Sequence, residues 1–221
     1  MIRTFYRLPV ASPEDDFHLA IAGIPFDGGL SYRPGARFGP AAIRDISSLA
    51  RSFHPQHQLN VFKKIKCADI GDFSIDPLDL LKTTEKIENQ ALNILQKGKL
   101  LFSFGGDHSV TLPLLRAHRR YWGTPLGLIH FDAHFDTYPA AWGHDFHHGS
   151  FLRHALEEGL VDTQKIIQIC IRGSLAGADD QELAQKYAIQ TISCQTVKIE
   201  GLEQTVKSLK PISGPCYLTF D

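Results

Sequence analysis

The sequence lacks an excess of charge of either sign. Its 221 residues include 23 Lys plus Arg and 24 Asp plus Glu, so the formal net charge is -1. This balance gives no electrostatic reason to expect nucleic acid or an anionic membrane surface as a partner. We therefore expect a small-molecule ligand or a protein partner.

A long hydrophobic run is also missing from the beginning of the chain. The first twenty residues contain Arg, Pro and the acidic run Glu14-Asp15-Asp16, and their apolar residues are interrupted throughout. Such a segment is typical of neither a secretory signal peptide nor a membrane span. We therefore expect a cytoplasmic protein with no membrane association.

Cysteine is scarce, and its spacing excludes the common cysteine motifs. The four Cys lie at positions 67, 170, 194 and 216, and none forms a CxxC pair. This spacing argues against a zinc ribbon or a disulfide framework. Each Cys lies in an apolar, strand-like segment, so we expect buried, reduced thiols.

Short apolar runs alternate with longer amphipathic stretches, and this pattern indicates an α/β protein with a mostly parallel sheet flanked by helices. The β-branched and aromatic content of the runs predicts strands buried on both faces. We expect one domain over 1–221, with helices at 77–97 and 179–187. The predicted strands are 17–24, 65–70, 99–105, 125–132, 165–172, 188–194 and 216–221.

Polar residues follow several of these predicted strands. Ligands bind beyond the carboxyl ends of the strands in parallel α/β sheets, so function is expected there. The polar strand ends are Gly105-Gly106-Asp107-His108, the segment 132–136, Arg172-Gly173 and Asp221.

The segment LIHFDAHFD places Asp132, His134 and Asp136 at positions i, i+2 and i+4. In an extended backbone these three side chains project to one side. A divalent cation would turn the repulsion between the two carboxylates into attraction, and carboxylate with imidazole suits Mn²⁺ and similar metals. An exposed polar loop is the alternative, but the preceding PLGLIHF is too apolar for a surface strand.

His108 follows a Gly-Gly-Asp turn at the end of another apolar strand, where glycines allow a close backbone approach. A lone His after a strand can equally be a capping or hydrogen-bonding residue. The cluster at 132–136 is what makes His108 a candidate ligand. Ser109 is the expected N-cap of the following helix, and Asp107 is a candidate to orient His108 or its neighbours.

Five segments together resemble the ureohydrolases, the arginase and agmatinase family, and agmatinases within it most closely. They occur in the family's order: SYRPGARFGPAAIR (31–44), GGDHSVTLP (105–113), HFDAHFDTY (130–138), HHGSFLRHALEEGL (147–160) and YLTFD (217–221). The resemblance spans almost the whole chain. It implies an arginase-like, three-layer α/β/α fold and hydrolysis of a guanidino compound.

The resemblance also implies a binuclear manganese centre. His108, Asp132, Asp136 and Asp221 would hold one Mn²⁺, and Asp132, His134 and Asp221 would help to hold the second. The two shared carboxylates would bridge ions about 3.5 to 4 Å apart, as in two-metal hydrolases.

His148 matches a family histidine near the substrate that shuttles protons, and it is the candidate catalytic residue. Its neighbour His147 replaces a commoner acidic or polar residue, which leaves the assignment between the two open. In the DAHFD segment, Phe135 replaces the Thr that the family usually has between the His and the last Asp. Its side chain is expected to point away from the metals.

The implied reaction is agmatine plus water to putrescine plus urea. Arginine carries an α-carboxylate that needs hydrogen-bond donors, and the segment after Asp136 lacks the Ser- and Asn-rich stretch of arginases. Thr137, Tyr138 and three His of this segment are the remaining donors, so guanidinobutyrate is an alternative substrate. Trp142 and Phe146 are expected to pack within the loop.

The block SYRPGARFGPAAIR contains two Gly and two Pro and predicts a loop followed by a helix that opens at Gly39-Pro40. The resemblance places it near the active-site rim or a subunit contact. Arg33 and Arg37 are therefore candidates either for structural anchors or for substrate contacts.

Family members continue beyond YLTFD with a second Asp, an Asp-Pro and a Glu that grips the guanidinium. The resemblance therefore implies that the last ligand motif is incomplete, that a sheet strand is missing, and that the full-length protein is a homo-oligomer. Two alternatives to a ureohydrolase remain. The chain is either an inactive fragment that binds only metal or partner subunits, or a relative of single-zinc deacetylases.

Overall fold

The computed structural model describes residues 3–175 and 177–221. The chain divides into two compact units, Met1–Ala117 and His118–Asp221. Each unit is an α/β structure built on parallel strands, which confirms the predicted class. The single domain over 1–221 stays a prediction.

The first unit is built on three parallel strands in the order β4-β1-β5. Leu19 of β1 pairs with Cys67 on one side and with Leu100 on the other, so β1 is the central strand. The elements of this unit are β1 (Leu19–Gly23), α1 (Gly39–Ser47), β2 (Phe53–His54), β3 (Leu59–Asn60), α2 (Val61–Lys64), β4 (Cys67–Asp72), α3 (Leu80–Gln96), β5 (Leu100–Phe104) and the start of α4 (Thr111–Trp122).

A buried arginine joins helix α1 to strand β4. The Arg44 guanidinium donates from Nε to Asp69 Oδ2 at 2.8 Å and from an Nη to Asp69 Oδ1 at 2.9 Å. Burial alone would raise the pKa of Asp69, but hydrogen bonds from Arg44 and from backbone N–H groups outweigh it, so this pKa is lowered. Asp69 is therefore a carboxylate that anchors α1 to the sheet.

The second unit contains four parallel strands in the order β8-β7-β6-β9. Strand β7 carries a bulge where the register shifts between Ile169 and Ile171, and Cys170 has a positive φ of 72° there. Bulges often lie beside active sites because they redirect the chain. The elements of this unit are β6 (Leu126–Phe131), α5 (Phe151–Glu157), β7 (Val161–Ile171), α6 (Glu182–Lys186), β8 (Gln190–Ser193), α7 (Cys194–Ser208) and β9 (Cys216–Phe220).

All seven predicted strands are present, but the expectation that all are buried on both faces is wrong for two of them. Strand β5 exposes Leu100 and Phe102, and strand β9 exposes Leu218 and Phe220. Among the described residues, β5 pairs only with β1 and β9 pairs only with β6. Each is an edge strand of its sheet, and its apolar side chains therefore lack a neighbour on one side.

The cysteine prediction is confirmed in its chemistry and only partly in burial. All four thiols are free, and Cys67 is buried, but Cys170 and Cys194 are half-buried and Cys216 is exposed on the edge strand β9. In the part of the chain that the structure describes, no helix combines the length and hydropathy needed to cross a bilayer.

Candidate metal centre

The segment after strand β6 brings acidic side chains together by bending. Strand β6 ends at Phe131, and residues 132–136 are not a strand. Asp136 adopts a positive φ of 52°, a conformation that Asp tolerates better than most residues. The predicted extended backbone is therefore wrong, because the bend and not strand alternation places these side chains.

Three buried side chains of the second unit form the centre of the candidate site. His130, Asp132 and Asp136 each direct a possible ligand atom to a common point, and these atoms lie within 4.8 Å of one another. All three residues are buried. His130 was not among the residues predicted from the sequence.

Asp132 is the residue to which the neighbouring groups connect. Its Oδ1 accepts a hydrogen bond from the His134 backbone N–H at 2.8 Å and lies 3.2 Å from His134 Nδ1. The His134 side chain is otherwise 62% exposed. His134 therefore lies beside the group while its ring remains open to solvent.

The other oxygen of Asp132 faces a buried histidine. Asp132 Oδ2 lies 3.0 Å from His130 Nε2. On the far side of the imidazole, His130 Nδ1 lies 3.1 Å from the Gln168 amide nitrogen. Gln168 also donates to the Phe135 carbonyl oxygen at 2.9 Å, and both His130 and Gln168 are fully buried.

Asp221 lies at the same end of the sheet as Asp132. Phe220 pairs with Phe131 in parallel register, and the Asp221 N–H donates to the Phe131 carbonyl oxygen at 2.9 Å. Asp221 and Asp132 thus follow paired residues of adjacent strands. Asp221 is exposed.

The two adjacent histidines have different roles. His147 Nδ1 accepts from the Gly149 N–H at 3.2 Å and caps the helical turn His148–Ser150, and its Nε2 lies 3.1 Å from the Pro139 carbonyl oxygen. A carbonyl can only accept, so His147 Nε2 carries the proton there. His147 is committed to holding the backbone, whereas His148 is half-buried in the next position.

Helix α5 holds the bend in place. The Leu152 N–H donates to the Asp136 carbonyl oxygen at 3.0 Å, and the Tyr138 N–H donates to the Gly149 carbonyl oxygen at 3.1 Å. Arg153 Nε donates to the carbonyl oxygens of Thr137 and Tyr138 at 3.0 and 3.1 Å. These bonds join the segment that carries Asp136 to the segment that carries His148.

The donors predicted beside the site are partly occupied. The buried Thr137 hydroxyl donates to the Asp180 carbonyl oxygen at 3.2 Å. Burial raises the pKa of the Tyr138 hydroxyl, and the charges of Asp180, Asp136 and Asp132 act in the same direction. Tyr138 therefore keeps its proton at neutral pH and remains a hydrogen-bond donor.

Phe135 and Trp142 differ in their exposure to solvent. Phe135 is buried and lines a cavity of about 300 Å³ together with residues that include Ala184 of α6 and Thr191 of β8. Trp142 is 77% exposed with a positive φ of 50°, and its packing within the loop is limited to an edge contact with the His147 ring, 6.4 Å between centroids. The backbone turn at Trp142-Gly143 presents the indole to solvent.

In the first unit, His108 opens a helical turn after strand β5. Asp107, not the predicted Ser109, is the N-cap, since its Oδ1 accepts from the Ser109 N–H at 2.8 Å. Asp107 Oδ2 also accepts from the Gly29 N–H at 2.8 Å. His108 itself is buried on this turn.

The loop after strand β1 is held by a buried carboxylate. Asp27 pairs with the Arg37 guanidinium, and its Oδ2 accepts from the Gly35 N–H at 2.7 Å. Arg37 is therefore a structural anchor. Arg33 is exposed beside Tyr32, with its guanidinium carbon 5.3 Å from the centre of the phenol ring.

His130 and Gln168 are the residues of the site that sequence reasoning missed. Each is a polar residue inside an otherwise apolar strand, in PLGLIHFD and KIIQICIR. A buried polar side chain needs a partner, and this requirement was the available signal.

The donor set suits a hard or borderline divalent cation. Two buried carboxylates close to one another are costly without a compensating positive charge. Carboxylate with imidazole is the ligand combination used for Mn²⁺, Fe²⁺ and Zn²⁺. The chemistry of the group therefore fits a metal ion.

Residues 17–221 match the arginase family model. The chain belongs to the arginase family. This membership confirms the resemblance found in the sequence, and it favours a ureohydrolase over the single-zinc deacetylase alternative.

Individual relatives support the family assignment. The chain is 38% identical to guanidinopropionase of Pseudomonas aeruginosa, covering 100% of this chain and 70% of the relative. It is 40% identical to agmatinase of Neisseria meningitidis, and the match covers 98% of this chain and 69% of the relative. Among solved structures, proclavaminate amidino hydrolase from Streptomyces clavuligerus superposes with a TM-score of 0.88 at 35% identity, covering 94% of this chain and 68% of that chain. The chain thus has an arginase-like fold.

Proposed function

We propose that this chain belongs to a metal-dependent hydrolase that releases urea from a guanidino compound, with agmatine as its substrate. The observation that carries the proposal is the buried group of His130, Asp132 and Asp136 at the carboxyl end of strand β6, in a chain of the arginase family. The family relatives include enzymes named for agmatine and for guanidino acids.

The ligands in this proposal are those that the family resemblance implies. Asp132, His134, Asp136 and Asp221 belong to the second unit, and the resemblance also implies His108 as a ligand. Support comes from the contact between Asp132 and His134 and from the pairing that carries Asp221 beside β6. Two Mn²⁺ ions would be held by this set.

When bound, such ions lower the pKa of a water molecule and supply a nucleophile at neutral pH. The carboxylates of Asp132 and Asp136 offset the positive charge of the centre, so that a cationic guanidinium can approach it. A guanidinium carbon is a poor electrophile, and its amine leaves well only after protonation. His148 provides the imidazole that moves this proton between the site and solvent.

The choice of agmatine depends on the scarcity of donors for a carboxylate. Thr137 donates to a backbone carbonyl, and His147 uses both ring nitrogens on the backbone. Tyr138, His144 and His148 are the remaining predicted donors of this segment. A substrate with a primary amine in place of a carboxylate fits such a site better.

A guanidino acid is the second candidate substrate. The 38% identity to guanidinopropionase supports it, because that relative is named for a substrate that carries a carboxylate. The protonated Tyr138 hydroxyl is a group able to bind a carboxylate in that case. The two candidates differ in the charge at the end of the substrate remote from the guanidinium.

Urea release from a panel of agmatine, arginine, guanidinopropionate and guanidinobutyrate tests the function. We expect the Mn²⁺-loaded chain to release urea fastest from agmatine. Faster release from a guanidino acid would transfer the assignment to the second candidate. Metal binding without urea release from any compound would support the alternative of an inactive fragment.

Asp132→Ala and His134→Ala provide the matched test of the mechanism. Both variants should abolish urea release, because each removes a proposed ligand. Asp162→Ala is the control, because it removes an acidic side chain of the same unit that is not a proposed ligand. Asp162 Oδ2 lies 3.2 Å from Lys165 Nζ. Urea release unchanged by Asp132→Ala would refute the proposed centre.

A further inference from the structure

We propose that His130 and Gln168 form a positioning pair that fixes the orientation of the Asp132 carboxylate in the metal centre. The inference rests on the proposed function, since it concerns how one proposed ligand is held. It assigns His130, which the geometry alone would allow as a ligand, to a different role.

The orientation of the Gln168 amide is set by the Phe135 carbonyl. That oxygen lies 2.9 Å from one end of the amide and can only accept a hydrogen bond. The amide end that faces it must therefore be the NH₂ group, because the amide oxygen would repel the carbonyl. Gln168 is fully buried, so no solvent competes for this position.

The same NH₂ group lies 3.1 Å from His130 Nδ1. One amide hydrogen goes to Phe135 and the second points to the imidazole. His130 Nδ1 must accept this hydrogen, so Nδ1 carries no proton. A neutral imidazole with a bare Nδ1 carries its proton on Nε2.

His130 Nε2 lies 3.0 Å from Asp132 Oδ2, and it donates its proton to that oxygen. A nitrogen that carries a proton cannot bind a metal ion, and Nδ1 is occupied by Gln168. His130 is therefore a hydrogen-bond donor to a ligand and not itself a ligand. The edge-to-face contact with the Phe151 ring, 5.3 Å between centroids, holds the imidazole plane from another side.

The pair leaves Asp132 with two differently occupied oxygens. Oδ2 receives the imidazole hydrogen bond, while Oδ1 accepts from the His134 N–H. A carboxylate held at both oxygens cannot rotate, so its remaining lone pairs stay directed at the group that includes Asp136. Such outer contacts orient ligands and tune affinity at metal sites, and their loss typically costs about 10- to 100-fold in metal affinity or activity.

The first measurement is the tautomer of His130 in the metal-free wild-type chain, from long-range ¹H–¹⁵N correlation spectra. The Nε2–H tautomer is expected, and Gln168→Leu should convert it to a mixture. An Nδ1–H tautomer in the wild type would overturn the inference. The wild-type part of this measurement needs neither metal nor a folded variant.

The second measurement is Mn²⁺ affinity by calorimetric titration of the whole chain. Gln168→Leu and His130→Phe should weaken binding about 10- to 100-fold, whereas His130→Gln, which keeps a donor near the Nε2 position, should retain tighter binding than His130→Phe. Gln164→Leu is the matched control, because it makes the same change at an exposed position of the same strand and should leave affinity unchanged.

The outcomes separate this inference from the proposed function. Absence of Mn²⁺ binding by the wild type would overturn the proposed function and the positioning role with it. Normal wild-type binding that Gln168→Leu leaves unchanged, even if that variant melts earlier, would overturn the positioning role alone.

Discussion

His147 and His148 are neighbours in the chain, but only His147 is shown to cap the backbone with its ring. Both nitrogens of His147 are engaged by Gly149 and Pro139, so its imidazole is a structural cap. His148 follows on the same turn and is half-buried. The sequence favoured His148 as the catalytic candidate but left the choice open, because the distinction depends on where the Pro139 carbonyl lies.

Alanine substitutions at these two positions should therefore give opposite results. His148→Ala should lower urea release by about 100-fold or more, the usual range for loss of a general acid or base, with an unchanged melting temperature. His147→Ala should cost about 1 kcal/mol of stability, as loss of an N-cap does. Activity assays and thermal melting check both, and a catalytic loss confined to His147→Ala would contradict the assignment.

Gly106 is required for a close backbone approach at the turn before His108. A Cβ added there would lie 1.6 Å from the Phe26 carbonyl oxygen, whereas a Cβ at Gly105 would meet only a Val110 methyl group at 3.2 Å. Gly106→Ala should destabilise the chain by about 3 kcal/mol or more, at or beyond the usual range for overpacking. Gly105→Ala is the neighbouring control with a smaller expected effect, and thermal melting that ranks the two variants in reverse would contradict this account.

At the scale of elements, the loop between β1 and α1 depends on one ion pair, in which Asp27 is buried and Arg37 is partly exposed. The hydrogen bond from Arg37 lowers the pKa of Asp27, burial opposes this shift, and the N–H groups of Gly35 and Arg37 support it. A lowered folded-state pKa stabilises the protein fully above the unfolded value of about 3.9. That stabilisation is lost as the pH falls through the folded pKa.

The stability difference between wild type and Asp27→Asn should therefore shrink below about pH 4. The free energy of unfolding of both proteins, measured by denaturant titration at pH 6 and at pH 3, checks this. A difference that stays constant over that range would show that the Asp27 charge does not contribute.

The elements themselves were largely predictable, because apolar runs and their turn residues are local features. Strands β1 and β6 and helix α3 appear where the sequence predicts them. The bend at Asp136 was not predictable, because contacts from Leu152 and Arg153 of helix α5 hold it. Likewise the N-cap moved from Ser109 to Asp107, since Asp107 also binds the distant Gly29 N–H.

The candidate site was also predictable only in part. Asp132, His134 and Asp136 could be named from spacing and family resemblance, because they lie in one short motif. His130 and Gln168 could not be connected, because their contact depends on the pairing of β6 with β7, 38 residues apart in the chain.

At the scale of the whole molecule, we expect the exposed apolar edge strands to promote self-association. Leu218 of β9 is 59% exposed on a strand that pairs on one side among the described residues. Unpaired apolar edges promote association with other chains, and an edge lysine prevents it. Leu218→Lys should therefore reduce concentration-dependent self-association.

Light scattering over a concentration series checks this prediction. Ile199→Lys is the matched control, since Ile199 is 75% exposed but lies on helix α7. Equal suppression of association by both variants would show that general exposed hydrophobicity, and not the strand edge, is responsible.

The central claim is that Asp132 and its neighbours form a two-metal centre, and diffraction at the manganese absorption edge tests it most directly. Crystals of the chain soaked in Mn²⁺ should show two anomalous peaks in contact with the Asp132 carboxylate, and Asp132→Asn crystals should lose them. Peaks only at surface sites, with none at Asp132, would contradict the account.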